Sequence, residues 1–389
     1  MPPHVPTIMK RFYLFFVAFC TTVSHVDARA PDVARSPQGF QLALPGKTFS
    51  FPRDHGAHPN FATEWWYYTG HLRDKNGRRF GYQLTWFRQA LTPQLKGRTS
   101  KWATRDIVFA HFAITDESGQ KFHFSDKIAR GAAGVAGSST RIENHRAVWI
   151  GEWDLRFDAR GRQTVHARGT SQNNSLMALS LDLSPTKPPV INGQNGVSQK
   201  SEGLGQASHY YSMTRLESRG TLKLGSETFA VEGNSWLDRE WGSNQLGRNQ
   251  IGWDWFALQL DDGRELMLYR MRLRGGGTDK FSSGTLIERN GRSRHLTVQD
   301  FSLQPTSTWR SPHTKALYPS TWRVRVPSAK LDMTIVPTLR DQELRTNRST
   351  GIAYWEGSNR VLDVRTNRQI GRAYVELTGY DKPFSNFLR

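Results

Sequence analysis

Alternation of large apolar and polar residues at every second position most constrains the fold of this chain of 389 residues. The stretch RRFGYQLTWFR alternates in this way over residues 80–86, and ELMLYRMRLR does so over residues 267–273. Successive side chains of a strand point to opposite faces, so each stretch predicts a strand with one buried and one solvated face. The turn-forming runs DKNGR and DDGR separate such strands at hairpin spacing. The sequence therefore predicts an all-β fold of antiparallel strands.

Two segments of the chain share one pattern. Residues 64–88 and residues 252–274 each contain an aromatic strand, a charged glycine turn and a second aromatic strand. This repetition predicts two related β units in tandem, each an up-and-down barrel or a sandwich. Small closed barrels have room for one apolar ligand. We place the first domain at residues 31–230 and the second at residues 231–389. The irregular segment 184–212 is interpreted as a lid or pocket wall of the first domain.

The beginning of the chain differs from the rest. Two basic residues precede an apolar run at residues 12–23, and small residues suit cleavage after Ala28. A membrane span needs about 20 apolar residues, so residues 1–28 are typical of a secretory signal peptide. Cys20 is the only cysteine, and the bulky Phe19 before it disfavours a lipoprotein anchor there. We expect an exported protein, periplasmic or secreted, whose mature chain has no disulfide.

The formal net charge of +19 is spread along the chain and is not gathered in one block. No stretch resembles the basic arm of a nucleic-acid-binding protein, and export also argues against nucleic acid as a partner. A generally basic surface is the simplest interpretation, and it would attract anionic membrane lipid weakly. The sequence predicts no cofactor.

Two familiar catalytic arrangements find little support. The loop DHGAH offers Asp54, His55 and His58, whose spacing could serve zinc. Because the loop defines no further ligand, a structural role is favoured and we predict no metal site. Serine hydrolases of the α/β type carry a G-x-S-x-G elbow between a strand and a helix. The chain has no such elbow, and GNSW at residues 233–236 is not that motif.

A pair of acids in WLDREWG is the stronger candidate. Asp238 and Glu240 lie two residues apart, so an extended segment places them on one face together with Trp236. A carboxyl group among indoles is poorly solvated, which favours its neutral form and raises its pKa. Such a group can donate a proton near neutral pH, and indole faces can stabilise a carbocation. The alternative, favoured by spacing alone, is that Asp238 pairs with Arg239 or Arg248 to hold a loop.

Other residues join this pair in the candidate site. Glu64 precedes paired aromatics in the first half of the chain much as Glu240 precedes Trp241 in the second, although aromatic stripes more often form a core. Tyrosine hydroxyls could reach the same cavity. The candidates for catalysis are Asp238, Glu240, Tyr210, Tyr211 and Glu64. The candidates for ligand binding are Trp236, Trp241, Trp65, Trp66, Tyr67, His209, Trp253 and Trp255.

Several long motifs resemble one family of bacterial exported proteins. They are DHGAHPNFATEWWYYTGHL, KPPVINGQNGVSQKSEG, ASHYYSMTRLESRGTL, GNSWLDREWG, GWDWFALQLDDGRELMLYRMR and YWEGSNRV. The sequence resembles the AttH-like family related to hydroxyneurosporene synthase, a carotenoid 1,2-hydratase. Members are often labelled lipocalin-like or predicted secreted hydrolase. The resemblance implies two tandem lipocalin-like antiparallel β-barrel or sandwich domains.

The resemblance also implies a chemistry. The hydratases add water across a terminal isoprenoid double bond, and their acid lies in a motif similar to Asp-His-Asn-Trp-Gly. Asp238, Trp241 and Gly242 match this motif. Arg239 and Glu240 depart from it, and an arginine that faced the site would favour the anion of Asp238 over the acid.

Three functions are therefore open. The first is a lipocalin-like protein that binds an extended apolar isoprenoid or lipid and adds water to its double bond. Asp238 would be the acid, Trp236 and Trp241 would line the cation, and Tyr210, Tyr211 or Glu64 would position water. The second is a non-enzymatic lipid carrier, or an accessory of envelope assembly or export with peripheral membrane contact. The third is a secreted hydrolase with Glu240 or His209 as the base.

Overall fold

Two curled antiparallel sheets account for most of the structure. A computed structural model of the chain describes residue 1 and residues 34–95, 97–142, 145–244 and 246–384. The predicted signal peptide, residue 1 apart, lies outside the described residues, as does Cys20. Within the described ranges there is no α-helix, only two 3₁₀ turns at Arg53–His55 and Pro327–Ala329. Correspondingly, none of the described residues form a helix long and apolar enough to cross a membrane.

The first sheet contains the first thirteen strands of the described chain. These are β1 Thr63–Asp74, β2 Arg79–Ala90, β3 Asp106–Asp116, β4 Lys121–Arg130, β5 Ala136–Ser138, β6 Arg146–Ile150, β7 Trp153–Phe157, β8 Gln163–Thr170, β9 Leu176–Pro185, β10 Val190–Ile191, β11 Ser198–Gln199, β12 Ala207–Leu224 and β13 Glu227–Asn244. The strand order is β4-β3-β2-β1-β13-β12-β9-β8-β7-β6-β5, and β10 and β11 pair with β12.

The second sheet has ten strands in the described ranges, and a separate hairpin lies within its sequence. The strands are β14 Gln250–Leu260, β15 Glu265–Leu273, β16 Ser283–Ile287, β17 Ser293–Thr297, β18 Ser302–Pro305, β21 Trp322–Val326, β22 Leu331–Pro337, β23 Glu343–Arg345, β24 Ala353–Asp363 and β25 Gln369–Leu377, and the hairpin is β19 Thr308–Arg310 with β20 Leu317–Pro319. The order is β17-β16-β15-β14-β25-β24-β22-β21-β18, with β23 beside β24.

Each sheet curls around an apolar core of its own, as the alternating pattern requires. In the first sheet β5 and β6 come round to contact β3 and β4, so the sheet nearly closes. Phe80, Tyr82 and Trp86 lie in its core, and Leu266 and Leu268 lie in the core of the second sheet. The predicted all-β fold of two antiparallel barrel-like units is therefore confirmed.

The alternating stretches at residues 80–86 and 267–273 lie in β2 and β15, and the prediction that each has one solvated face is wrong. On β2 the side chains between the core positions, such as Gln83 and Thr85, are also buried. The reason is that the two sheets pack against each other within one unit that begins at Ala34. Gly81 permits this approach, because a Cβ atom at this position would lie 2.7 Å from the Cβ of Ser358 on β24.

The predicted domain boundary at residue 231 falls inside β13. This strand pairs with β1 on one side and β12 on the other, so all of it belongs to the first sheet. The chain changes sheet between Asn244 and Gln250. The change of sheet therefore lies later in the chain than residue 231, because both strands of the β12–β13 hairpin pair within the first sheet.

The irregular segment at residues 184–212 forms a wall between the sheets. Within it β10 and β11 add to the edge of β12. Lys187 reaches the second sheet and pairs with Glu265 at 2.6 Å. The Thr285 hydroxyl donates a hydrogen bond to Asn192 Oδ1 at 2.7 Å. The segment was predicted to be a pocket wall of the first domain, and it contacts both sheets.

Candidate functional site

The segment WLDREWG forms part of β13, where alternate side chains face different surroundings. Trp236 belongs to an apolar cluster between the two sheets. Asp238 and Glu240 share this face, since they follow at intervals of two. Leu237 and Trp241 belong to the core of the first barrel instead. The structure thus brings both acids together with Trp236, as the spacing predicts.

A cleft between the two sheets receives these acids, and we call it the inter-sheet cleft. It contains about 1120 Å³ of empty space, counting the part that opens to solvent. Its apolar wall includes Trp65, Tyr67, Trp253, Trp255, Met271 and Ile352. Its polar groups include Lys200, Tyr210, Asp238, Glu240, Tyr354 and Glu376.

Three donors surround the carboxyl group of Asp238. The Ser212 hydroxyl donates to Oδ1 at 2.5 Å, and Trp236 Nε1 donates to the same oxygen at 2.6 Å. The Tyr210 hydroxyl donates to Oδ2 and itself accepts from Trp255 Nε1 at 3.3 Å. Among the described residues no basic side chain pairs with Asp238; the adjacent cations pair with other acids. The carboxyl group is therefore hydrogen-bonded but forms no ion pair with a described side chain.

Burial raises the pKa of Asp238 to about 7, although its three hydrogen bonds oppose the rise. The neighbouring Glu240 carboxyl group adds to the rise. Asp238 is therefore present in both protonation states near neutral pH. The three donors would stabilise the anion that remains once the proton has left. This combination is what a general acid requires.

Glu240 is the partner of a buried cation. Lys200 Nζ lies 3.2 Å from Glu240 Oε1, and the Ser208 hydroxyl donates to the same oxygen. Burial alone would lower the pKa of Lys200, but the Glu240 carboxylate outweighs it and raises that pKa. The ammonium group also lies 4.1 Å from the ring centroid of Tyr269. Glu240 therefore holds a charged lysine in the wall of the cleft.

The second sheet contributes two further acids, Glu356, which is buried, and Glu376, which is half-buried. Trp253 Nε1 donates to Glu376 Oε2 at 2.8 Å, and burial raises the pKa of Glu376 to about 7. The Tyr67 hydroxyl donates to Glu356 Oε1, and burial raises the pKa of Glu356 well above its usual range. The predicted ligand-binding residues Tyr67, Trp253 and Trp255 thus lie among carboxyl groups from both sheets.

Arg239 points away from the inter-sheet cleft into the first barrel. Its Nη2 lies 2.6 Å from Glu64 Oε2 and donates to the carbonyl of Gly56 at 2.5 Å. Arg88 Nε binds the other oxygen of Glu64 at 2.5 Å. Burial alone would raise the pKa of Glu64, but the two guanidinium groups outweigh it and hold that pKa well below its usual range. The expected alternative, a pair between Asp238 and Arg239, is not what the structure shows.

Several predicted site residues accompany Arg239 into the first barrel. Because β12 pairs in register with β13, Tyr210 faces the cleft whereas His209 and Tyr211 face the barrel. The Glu64 carboxylate pairs with two arginines, and the Arg239 guanidinium lies 3.7 Å from the ring centroid of Trp66 and 5.3 Å from that of Trp241. The Tyr211 hydroxyl lies 2.6 Å from His55 Nδ1, and His209 Nδ1 lies 2.8 Å from the carbonyl oxygen of Gly196. None of these side chains reaches Asp238.

The side chains of Asp54, His55 and His58 in DHGAH contact this group of residues in the first barrel. Asp54 Oδ1 lies 3.1 Å from His58 Nε2, and Asp54 Oδ2 pairs with Lys47 at 2.7 Å. The ring of His58 stacks on Trp241 with centroids 3.6 Å apart. The described residues contain no group of three or more His, Cys, Asp or Glu side chains arranged to hold a metal ion.

The structure adds residues to the site that the sequence interpretation missed. They are Lys200, Ser212, Glu356 and Glu376. A usable signal was present for the two acids, since Glu356 and Glu376 each follow an aromatic residue at an interval of two, as Asp238 follows Trp236. No comparable pattern marks Lys200, which lies in an irregular segment.

Comparison with known proteins agrees with this architecture. The model of the AttH-like family matches residues 42–380. The crystal structure of a protein described as an AttH from Nitrosomonas europaea superposes with a TM-score of 0.78 at 34% identity, covering 88% of this chain and 99% of that chain. Kievitone hydratase from Nectria haematococca has a TM-score of 0.63 at 14% identity, covering 90% of this chain and 96% of that chain, a likeness of fold. A comparison with curated proteins finds no match.

Proposed function

The chain belongs to the AttH-like family, and from this premise we propose that it is a hydratase. The protein would bind an extended, largely apolar isoprenoid in the inter-sheet cleft and add water to one of its carbon–carbon double bonds. A hydratase of the same fold, kievitone hydratase, supports this reaction class. The resemblance of the sequence motifs to a carotenoid hydratase supports it independently.

The state of Asp238 carries the proposal. An alkene is protonated by a carboxylic acid only when that acid is neutral and lies close to the double bond. In an apolar cleft, little water is present to take the proton instead. Asp238 is 3% exposed, has a pKa raised by burial to about 7, and lies beside the cleft. Arg239 does not oppose this state, because its guanidinium group lies on the other side of β13.

The reaction has three steps: proton transfer to carbon, formation of the C–O bond, and removal of the surplus proton from the added water. Asp238 donates its proton to one carbon of the double bond, so a C–H bond forms and the π bond breaks. The other carbon becomes cationic, and the faces of Trp255 and Tyr67, whose centroids are 5.1 Å apart, can stabilise it. The oxygen of water then forms the C–O bond, and a base takes the surplus proton.

The two alternatives have less support from the site. A carrier needs an apolar cleft, but it has no use for several buried carboxyl groups beside the ligand. A hydrolase with His209 as the base would need the imidazole ring in the cleft. The ring of His209 instead faces the first barrel, where it binds the carbonyl of Gly196. Glu240, the other candidate base, is paired with Lys200.

Export is a separate part of the proposal. We propose that residues 1–28 direct the chain out of the cytoplasm and are then removed. Amino-terminal sequencing of the protein isolated from the cell envelope tests this step. A new amino terminus after Ala28 is expected, and an intact terminus in a cytosolic fraction would contradict export.

Hydration is tested by incorporation of labelled water. The wild-type protein and Asp238→Asn would be incubated with geranylgeraniol or with kievitone in H₂¹⁸O, and products would be followed by mass spectrometry. Asparagine has the shape of the neutral acid, but its amide N–H is far too weakly acidic to protonate an alkene. We expect labelled alcohol from the wild type and a rate about 10²- to 10⁴-fold lower from the variant.

A matched control separates the acid from general effects of removing a charge. Asp262 lies in the exposed turn between β14 and β15, where it pairs with Arg264 at 2.8 Å. Asp262→Asn is expected to retain the wild-type rate. Equal turnover by wild type and Asp238→Asn would remove Asp238 from the acid role. Binding of these ligands without labelled product would contradict the hydratase and favour a carrier.

A further inference from the structure

We infer that Glu376, on the wall of the inter-sheet cleft that the second sheet provides, is the catalytic base that takes the proton of the attacking water. The inference rests on the proposed hydratase function and adds the second half of the reaction to it. After protonation of the alkene, the Asp238 anion lies on the face of the substrate that received the proton. A carboxylate on the other wall lets water attack from the opposite face.

The position of Glu376 suits this role. It lies near the end of β25, directly opposite Trp255 on β14. Its Oε2 accepts the hydrogen bond from Trp253 Nε1, and its side chain lines the cleft. Asp238 lines the same cleft from β13 of the first sheet. A flat or extended molecule between the sheets would therefore have one acid on each side.

Glu376 also has a second carboxyl group beside it. Glu356 on β24 is its direct cross-strand partner. Residues in this relation have Cβ atoms about 5 Å apart on one face of the sheet. Two carboxyl groups so close in a buried place do not both ionise, and one of them keeps a proton.

The surroundings decide which of the two keeps it. Glu356 is 1% exposed, its Oε1 accepts from Tyr67, and its Oε2 has no hydrogen-bond partner among the described residues. Glu376 has an indole N–H donor and access to the cleft. Burial raises the pKa of Glu356 well above its usual range but raises that of Glu376 only to about 7. The negative charge therefore belongs on Glu376, and Glu356 is its neutral neighbour.

The other charged groups near Glu376 are consistent with a negative charge on Glu376 and a proton on Glu356. The acids on β13 disfavour a second negative charge nearby, which keeps the pKa of Glu376 close to neutrality. Lys200 is held by Glu240, and no ion pair joins a described basic side chain to Glu376. The titratable groups that line the cleft with Glu376 are Tyr67 on β1, His111 on β3, Lys200 before β12, Tyr210 on β12, Asp238 and Glu240 on β13, Tyr269 on β15 and Tyr354 on β24; the ion pair of Glu64 and Arg88 also borders the cleft, and Glu356 on β24 is the cross-strand neighbour of Glu376.

The complete step balances. Asp238 loses one proton to carbon, water adds oxygen to the cationic carbon, and Glu376 gains the proton that water releases. The alkene and water become an alcohol without an oxidant or reductant. One proton has moved from Asp238 to Glu376, and exchange with solvent after product release restores both groups.

Glutamine has the shape of protonated glutamate, so Glu376→Gln removes the base without changing the size of the side chain. With geranylgeraniol or kievitone in H₂¹⁸O, we expect kcat to fall about 10²-fold or more in Glu376→Gln. The matched control is Glu232 on β13, whose side chain is 55% exposed and pairs with Arg73, and Glu232→Gln should retain the wild-type rate. Thermal unfolding of both variants verifies that each is folded.

The pH profile adds a readout that a merely structural role would not move. In the wild type, the acidic limb of kcat/KM reports the base and the basic limb reports the acid. We expect the acidic limb near pH 7 to vanish in Glu376→Gln while the basic limb, which belongs to Asp238, remains. Full activity of Glu376→Gln, or an equal loss of activity in Glu232→Gln, would overturn the assignment of the base.

These outcomes are distinct from failure of the proposed function. If Asp238→Asn is inactive and Glu376→Gln is fully active, the hydratase stands and only the present inference falls. If the wild type converts neither probe, both fall together. Infrared spectroscopy in a pH titration tests the proton on Glu356 without substrate: a neutral carboxyl band should remain in wild type and Glu376→Gln after Asp238 has ionised, and it should be absent in Glu356→Gln. Persistence of that band in Glu356→Gln would overturn the sharing of one proton.

Discussion

Asp238 and Arg239 are adjacent in the sequence, yet their side chains lie on opposite faces of β13 and never form a pair. Asp238 faces the inter-sheet cleft, where Tyr210, Ser212 and Trp236 donate to its carboxyl group. Arg239 faces the first barrel and pairs with Glu64. The alternation of the strand thus isolates the acid from the nearest positive charge along the chain.

The pair of Arg239 and Glu64 should be a strong determinant of stability. Both side chains are fully buried, so Arg239→Gln removes one of the two cations that compensate the Glu64 carboxylate. We expect a loss of about 3 kcal/mol in the free energy of unfolding, measured with denaturant. Arg73 and Glu232 form the matched control, since they also join β1 to β13 but are 60% and 55% exposed. Arg73→Gln should cost less than about 1 kcal/mol, and equal losses would contradict this difference.

Two tryptophans of β13 should differ in their effect on Asp238. Trp236 donates to Asp238, whereas Trp241 lies in the first barrel and its Nε1 has no partner within the described ranges. Trp236→Phe removes a donor that favours the anion, so the pKa of Asp238 should rise by about one unit. Trp241→Phe should leave that pKa unchanged. The basic limb of the hydration pH profile measures both, and a shift in the Trp241 variant alone would contradict the separation of the two faces.

Asp238 should make its own pH-dependent contribution to stability. Its pKa is about 7 in the folded protein and about 4 in an unfolded chain, so the folded state binds more protons between these values. The contribution of Asp238 is fully present below pH 4 and is lost as the pH rises to 7. Asp238→Asn should therefore gain stability relative to wild type by about 1 kcal/mol per pH unit across this window.

The comparison must use differences between the two proteins. Burial lowers the pKa of His55 and His209 to about 4 and that of His111 to about 3, so the stability they contribute is present above pH 6.5 and is lost as the pH falls toward those values. This background is common to wild type and variant and cancels in the difference. A difference that does not change between pH 5 and pH 8 would contradict the raised pKa of Asp238.

The close approach of the sheets at Gly81 should tolerate no side chain. An added Cβ atom would lie 2.7 Å from Ser358 Cβ and 3.1 Å from the Tyr374 hydroxyl. We expect Gly81→Ala to cost about 1–3 kcal/mol, because either the strands or the two sheets must move apart. Gly275 serves as the control, since a Cβ atom added there would meet no atom of the described residues within 4 Å. Gly275→Ala should change stability by less than about 0.5 kcal/mol in the same unfolding measurement.

The alternation of side chains along β13 was enough to predict which residues of that strand share a face. It placed Trp236, Asp238 and Glu240 on one face correctly, and it also implies that Arg239 and Trp241 lie on the other. The grouping of Trp241 with Asp238 followed nearness in sequence and a family motif, not the period. The same period separates Tyr210 from Tyr211 on β12.

The rest of the site depends on packing that no local pattern contains. Glu376 lines the same cleft as Asp238 only because the second sheet packs on the first, and no pattern within β25 indicates that packing. Lys200 reaches Glu240 because an irregular segment lies between the sheets. Glu64 finds Arg239 across the pairing of β1 with β13, between residues far apart in the chain. Such long-range pairs require the topology, which alternation alone does not specify.

A carboxyl group at Asp238 that is neutral near physiological pH is the claim from which the proposed chemistry follows. It can be measured directly from the ¹³C chemical shift of aspartate carboxyl groups in the labelled protein, with the Asp238 signal assigned by its absence in Asp238→Asn. We predict a titration midpoint at about pH 7. A midpoint near pH 4, the ordinary value for an aspartate, would contradict the role of Asp238 as the acid.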